Sequence, residues 1–224
     1  MIGGGRASGV WADTGESSFA YTAVSEKALA ETGASDVLVI GSAGFNLPRD
    51  AARTDAVRRI DAVDVDPNVK PIAEKYFLKQ PLSPKIHFVP LSARYAVRKL
   101  HRDARQYGFT MIDAYFGKGI PDELVTTEFF RDVRAVSAHT LVNAGLDREL
   151  KSSFARNLLA TFRDAFGDAW YIDAKPGDPE DYTNILIVSW PAEGAKHWIG
   201  SGAVYRDDRN SADRDRVELM WGDG

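Results

Sequence analysis

Short apolar runs rich in Val and Ile alternate along the chain with longer stretches in which apolar residues return every three or four positions. An unbroken short run marks a buried strand and a period near 3.6 marks a helix, so their alternation predicts βαβ units around a mostly parallel sheet. Seven strands are predicted, over residues 36–40, 59–65, 85–89, 109–113, 139–143, 169–173 and 184–190. Behind the second strand, Asp66-Pro67 offers an N-cap with proline at the first helical position, and Val69, Ile72, Ala73 and Tyr76 then share one face. Pro71 lies close enough to that start to kink the helix early. A further helix is predicted from the stripe Ala93, Val97, Leu100, Ala104 and Tyr107, with Arg94, Arg98, Lys99 and Arg102 off the stripe and expected in solvent. A third carries Phe154, Leu158, Leu159, Phe162 and Phe166 as core residues and stops at Gly167, a suitable C′ residue.

A length of 224 residues suits one domain with a buried core. We expect that domain over 19–200, after an N-terminal segment 1–18 read as a remnant or a flexible piece. A charged tail follows over 201–224, where Arg206, Asp207, Asp208, Arg209, Asp213, Arg214, Asp215 and Arg216 predict a mobile or weakly docked segment. The net charge of −4 with mixed signs gives no basic field for nucleic acid, which is not an expected partner. The absence of cysteine removes disulfides and thiolate chemistry. With no apolar run near the ~20 residues of a membrane span and no signal-peptide pattern at the start, no membrane partner is expected and the expected location is the cytoplasm. His87, His101, His139 and His197 show no ligand spacing, so no metal is predicted, and a G-x-S-x-G elbow is missing. Trp11, Trp170, Trp190, Trp198 and Trp221 are assigned to packing.

Candidate chemistry begins at Val37-Leu38-Val39-Ile40-Gly41-Ser42-Ala43-Gly44, an apolar strand entering a small-residue turn whose backbone N–H groups can approach a ligand. Alone, such a turn also serves to pack a helix on a strand. Asp64 adds weight, because it ends the second strand 20 positions after Gly44, where an acid can accept hydrogen bonds from ribose hydroxyls. Its bland alternative is an ordinary strand-end carboxylate, and Asp66, ahead of Pro67, is better explained as a helix cap. The turn is not the G-x-G-x-x-G of dinucleotide folds, and no phosphate-cradling loop is present. A neutral turn with a ribose acid suits a nucleoside whose other end is a sulfonium.

Three further segments complete a pattern: Asp61-Ala62-Val63-Asp64-Val65-Asp66-Pro67, Ile112-Asp113-Ala114-Tyr115-Phe116-Gly117-Lys118-Gly119-Ile120-Pro121, and Thr127-Glu128-Phe129-Phe130. With the glycine turn they resemble, over 19–189, the spermidine synthase family and more closely its shorter spermidine synthase-like domains, which also occur fused to membrane transporters. The resemblance implies a Rossmann-like class I S-adenosylmethionine methyltransferase fold, with a seven-stranded mostly parallel sheet and helices on both faces. It implies that Gly41, Ser42, Ala43, Gly44, Asp64, Val65, Ser92 and Ala93 hold decarboxylated S-adenosylmethionine or S-adenosylmethionine itself. It also implies that Asp113, as the catalytic carboxylate, and Tyr21, on a helix ahead of the first strand, are the catalytic residues, and that Tyr21, Asp113 and Tyr115 contact a small amine acceptor. A homodimer is the assembly to test for. An amine of pKa about 10 is mostly protonated at neutral pH, so a carboxylate both attracts the cation and accepts its proton during attack.

The departures are specific. Phe116 stands where the family has a second aspartate for the far amine, and Ser92 falls where an aspartate commonly contacts adenine. Lys118 adds a positive charge near Asp113, expected to point to solvent. The N-terminal β-hairpin module of the family has few residues ahead of Phe19 to form it, which implies an open pocket or another lid. Tyr21 has a packing alternative and Ser92 an N-cap alternative. Methyl transfer from S-adenosylmethionine, and a nucleoside-binding domain without catalysis, stay open beside aminopropyl transfer.

Overall fold

In a computed structural model, the described residues are Gly9, 17–117 and 119–221, with the side chain of Trp221 excepted. The expectations for Lys118, Trp11 and most of segment 1–18 fall outside them. Eight strands form one sheet: β1 (Asp36–Ile40), β2 (Arg59–Asp64), β3 (Ile86–Pro90), β4 (Tyr107–Ile112), β5 (Ser137–Asp147), β6 (Trp170–Asp173), β7 (Tyr182–Val188) and β8 (Lys196–His197). Their order is β3-β2-β1-β4-β5-β7-β6-β8. Strands β1 to β5 run parallel, and β7 enters antiparallel between β5 and β6. All seven predicted strands are present. The eighth is a two-residue edge strand paired with β6, too short to leave a periodicity.

Helices α1 (Ala20–Thr32), α2 (Asn46–Ala52) and α3 (Val69–Ile72) cover one face, while α4 (Ala93–Arg102), α5 (Thr127–Arg134), α6 (Ser153–Phe166) and α7 (Ala212–Trp221) cover the other. Strand β1 shows why the apolar run has no gaps. Leu38 and Ile40 enter the core under α4 to α7, while Val37 and Val39 enter the core under α1 to α3, so both faces of the strand are buried. Helix α6 follows its sequence signals: the Ser152 hydroxyl accepts from Ala155 N at 3.1 Å, and Gly167 ends the helix at φ +90°. Phe162 and Phe130 pack edge-on at 5.4 Å between ring centres, so these aromatics are core.

Three expectations change. Behind β2, Val69 and Ala73 are buried but Ile72 and Tyr76 are exposed. Four residues into α3 the backbone loosens into a π-turn over Ala73–Phe77, with Leu78 N bonded to Ala73 O at 2.7 Å, and the wider turn rotates Tyr76 off the inward face. Asp66 is not the N-cap and Pro67 is not the first helical residue: α3 starts at Val69 behind Asn68, and Asp66 accepts from Asn68 N at 2.8 Å, closing the turn that leads into the helix. In α4, which ends at Arg102 short of Ala104 and Tyr107, Arg94 is not solvated. It pairs with Asp207, and its Nε donates to Glu123 O at 2.7 Å.

The charged C-terminal stretch carries more structure than its composition suggests. Tyr205 is buried and donates its hydroxyl to Asp215 at 2.8 Å, and the same carboxylate accepts from Asn157 at 2.8 Å and Ser211 at 3.1 Å. Helix α7 thus packs on α6 through a buried acid whose Oδ2 takes all three of these donors. No helix among the described residues is long and apolar enough to cross a membrane.

Candidate active site

Strand order reverses between β1 and β4, because β2 and β3 continue to one side of β1 and β5 to the other side of β4. In open α/β sheets the crevice for a ligand lies outside the carboxyl ends of the strands at such a point. The register pairs Ile40 with Ile112, so the next residues, Gly41 and Asp113, leave the sheet side by side. Gly41 has φ +90°, and a Cβ placed on it would lie 2.3 Å from Asp113 O. Glycine is required here both by backbone conformation and by the approach of the second chain segment.

Asp113 is held from two sides. The Tyr21 hydroxyl, delivered by α1, donates to Oδ2 at 2.8 Å, and Asn143 Nδ2, delivered by β5, donates to Oδ1 at 2.7 Å. Asn184 Nδ2 donates in turn to Asn143 Oδ1 at 3.0 Å, which orients the asparagine amide. Burial pushes the Asp113 carboxyl up to about 6, against the two hydrogen bonds from Asn143 and Tyr21 that favour its ionised form. Burial, together with the neighbouring Asp113 charge, raises the Tyr21 phenol far above its ordinary range. Tyr21 therefore stays protonated as a donor to the carboxylate and is not a base.

Asp64 flanks the same turn from the β2 side. Its Oδ2 accepts from Ser42 N at 3.0 Å and Ala43 N at 3.1 Å, and its Oδ1 accepts from Asp66 N at 3.1 Å. These two N–H groups of the turn are thus taken by Asp64. Both lone pairs of Oδ2 are therefore used, and Oδ1 keeps one for a hydroxyl donor. Ala43 at φ +36° and Phe45 at φ +60° keep the chain tightly coiled between Gly41 and α2.

A cleft of about 220 Å³ is lined by Tyr21, Gly41, Ser42, Ala43, Asn46, Leu47 and Asp113. Asp64 lies outside this lining, across the backbone of Ser42 and Ala43. Val65 follows it with an exposed side chain, and Gly44 continues the turn. Ser92 occupies the N-cap position of α4, yet its exposed hydroxyl makes no capping bond; Ala93 opens the helix beside it. Tyr115 presents a partly exposed ring, but its hydroxyl is tied to β5: Gly145 N donates to it at 2.9 Å and it donates to Asn143 O at 3.2 Å. The structure therefore brings Tyr21, the glycine turn and Asp113 into one cleft and places Asp64 against the turn's other side.

Asn143 and Asn184 were not singled out from sequence. A signal exists for the first: Asn143 is a polar residue closing a predicted apolar strand, and it aligns one step beyond the Ile112 and Val142 pair. For Asn184 and for Arg216, which reaches the loop after β4 from α7, no local signal exists.

No family model matches the chain. It is 28% identical over 159 residues to the polyamine aminopropyltransferase of Vibrio vulnificus (strain CMCP6), covering 68% of this chain and 49% of that protein. The chain thus spans about half the length of this curated relative. Among solved structures it is similar to a probable spermidine synthase from Corynebacterium glutamicum ATCC 13032, with TM-score 0.61, 18% identity, and coverage of 91% of this chain and 72% of the other. Human methyltransferase-like protein 13, solved in complex with SAH, gives TM-score 0.61 at 16% identity, covering 91% and 89%. Over 159 residues the chain is thus similar in sequence to a polyamine aminopropyltransferase, and over 91% of its length it shares the Rossmann-like fold of a probable spermidine synthase and of a methyltransferase-like protein.

Proposed function

We propose that the protein is an aminopropyltransferase-like enzyme that binds an S-adenosylmethionine-derived nucleoside, decarboxylated S-adenosylmethionine in the first instance, and transfers its aminopropyl group to a small amine. The observation that carries this is the meeting of Gly41 and Asp113 at the strand crossover, with Asp113 held by Tyr21 and Asn143 and with Asp64 on the same turn. The relative from Vibrio vulnificus, a polyamine aminopropyltransferase, supports the choice of group transferred.

The amine binds as an ammonium against Asp113, which takes one proton from it. The freed nitrogen attacks the carbon bonded to the sulfonium, the C–N bond forms, the C–S bond breaks, and its electron pair returns to sulfur as a neutral thioether. A sulfonium leaves readily, so the protein's part is to align the pair and to supply negative charge at the nitrogen. Tyr21 and Asn143 act as positioning residues that fix the carboxylate. In this reading the sulfonium end lies in the cleft at Asp113, and sugar and base lie along the open edge past Asp64, Val65, Ser92 and Ala93.

Incubation with decarboxylated S-adenosylmethionine and a panel of amines is expected to release methylthioadenosine. S-adenosylhomocysteine release from S-adenosylmethionine instead would favour methyl transfer, and no product from either donor would defeat catalysis. Independently of turnover, Asp64→Ala is expected to weaken methylthioadenosine binding by about 10–100-fold in calorimetry, the equivalent of one or two hydrogen bonds to a charged group. An unchanged affinity would remove Asp64 from the site.

A further inference from the structure

We propose that Asn184, a β7 residue outside the lining of the cleft, is a positioning residue that acts through Asn143 to keep Asp113 in its proton-accepting, ionised form. This rests on Asp113 being the base of the proposed transfer and names what maintains it as one.

Strand alternation gathers the parts on one face. Met111 of β4, Leu141 of β5 and Leu186 of β7 all enter the core under α1 to α3. Asp113, Asn143 and Asn184 each stand two positions from one of these residues, so they come up on the same face. Because β7 runs antiparallel to β5, with Gly145 opposite Asn184, the start of β7 lies at the edge where β4 and β5 end. Helix α1 packs against all three strands and brings Tyr21 to that edge. The result is a row of four side chains: Tyr21, Asp113, Asn143 and Asn184. Every hydrogen bond in the row points its donor toward the carboxylate, at 2.8 Å from Tyr21, 2.7 Å from Asn143 and 3.0 Å from Asn184 to Asn143.

That direction matters because the two forms of the carboxyl ask for different partners. An ionised carboxylate only accepts, whereas a protonated one also donates. Asn143 alone could serve either form by turning its amide over. Asn184 couples that turn to a second one: with its Nδ2 3.0 Å from Asn143 Oδ1, a turned-over Asn143 would set donor against donor. Asn143 is 1% exposed, so water does not relieve the conflict, and serving the acid requires both amides to turn together. Asn143 is thereby held as a donor, which favours the anion. Burial presses the carboxyl toward its neutral form, and the donors Asn143 and Tyr21 oppose it. The titratable groups around it are the phenols of Tyr21 from α1 and Tyr115 from its own segment, with Tyr182 of β7 and Arg216 of α7 beyond Tyr115.

The test follows the Asp113 carboxyl-carbon resonance with pH in protein carrying isotope-labelled aspartate, assigned by its loss in Asp113→Asn. It compares wild type, Asn184→Leu, Asn143→Leu and the double variant, leucine being close to asparagine in size and without a donor. The wild-type midpoint is expected at about 6. Asn184→Leu is expected to raise it by roughly half to one pH unit, a gain of about three- to tenfold in proton affinity, and Asn143→Leu by at least as much. In the Asn143→Leu background, removing Asn184 is expected to add nothing, because its effect passes through Asn143. Asn184→Val, a substitution suited to a strand, is the second variant and is expected to move the midpoint the same way. A purely structural role would lower the melting temperature and leave the midpoint in place. Unmoved midpoints in both Asn184 variants, or the same rise with Asn143 absent, overturn the proposal. Turnover is judged separately. A raised midpoint without product from either nucleoside donor overturns only the transfer reading, whereas methylthioadenosine release with the midpoint unmoved overturns only the role of Asn184.

Discussion

Asp113→Asn is expected to lower kcat by about 10²–10⁴-fold, the usual worth of a positioned general base, while methylthioadenosine affinity stays within about twofold of wild type. The amide has the size of the carboxylate and its oxygen can still accept from Tyr21, but its nitrogen then faces the Asn143 donor, and it neither attracts an ammonium nor takes its proton. In the wild-type protein the carboxyl is pushed up to about 6 by burial, so kcat is expected to climb with pH through that value and level off once the group is ionised. The asparagine variant should lose that limb. Stability should move in the opposite sense. A carboxyl that holds its proton more tightly folded than unfolded stabilises the fold at low pH, and that contribution is lost as pH rises from about 4 to about 6. The melting temperature of the variant is therefore expected to improve relative to wild type as pH rises from about 4 to about 8, whatever the loss of the Asn143 hydrogen bond costs at every pH. Full turnover by Asp113→Asn would remove the carboxylate from the mechanism.

How much of this was legible beforehand follows from how local each signal is. The strands could be read because a parallel strand buried on both faces must be a nearly unbroken apolar run, as Val37 to Ile40 shows. Gly41, Asp64 and Asp113 could be read for a related reason. Each stands at or just past the end of such a run, and in a parallel sheet those ends gather at one edge. Local pattern failed where a tertiary partner decides the outcome. Arg94 looked like one of several solvated cations until Asp207, 113 positions away, claimed it. Tyr76 looked inward because a helical wheel assumes constant turn, which the π-turn after α3 breaks. The C-terminal stretch looked dispersed because its charges are abundant, yet its buried acid, Asp215, is matched by Tyr205, Asn157 and Ser211. Arg216 belongs with these: its hold on the loop after β4 is set by the docking of α7, not by its neighbours in sequence.

The glycine at the crossover offers the sharpest test of whether site and fold are one construction. Gly41→Ala is expected to cost about 3 kcal/mol or more of stability, because two penalties combine. The first is conformational, about 1–2 kcal/mol for a side chain at positive φ. The second is overlap: the new Cβ would stand 2.3 Å from Asp113 O and 2.6 Å from Ala114 Cα, backbone atoms that yield only if the end of β4 moves. Gly167 separates the two, since it shares φ +90° but has nothing within 4 Å of an added Cβ. Gly167→Ala should therefore show the conformational penalty alone, a loss of about 1–2 kcal/mol with turnover intact. Because the segment that Gly41→Ala displaces carries Asp113 itself, this variant should also lose activity at temperatures where it remains folded. Chemical denaturation and turnover measured side by side on the two variants decide the matter. Equal destabilisation by both alanines would mean that the β1 and β4 ends do not meet closely enough to hold a reaction centre between them.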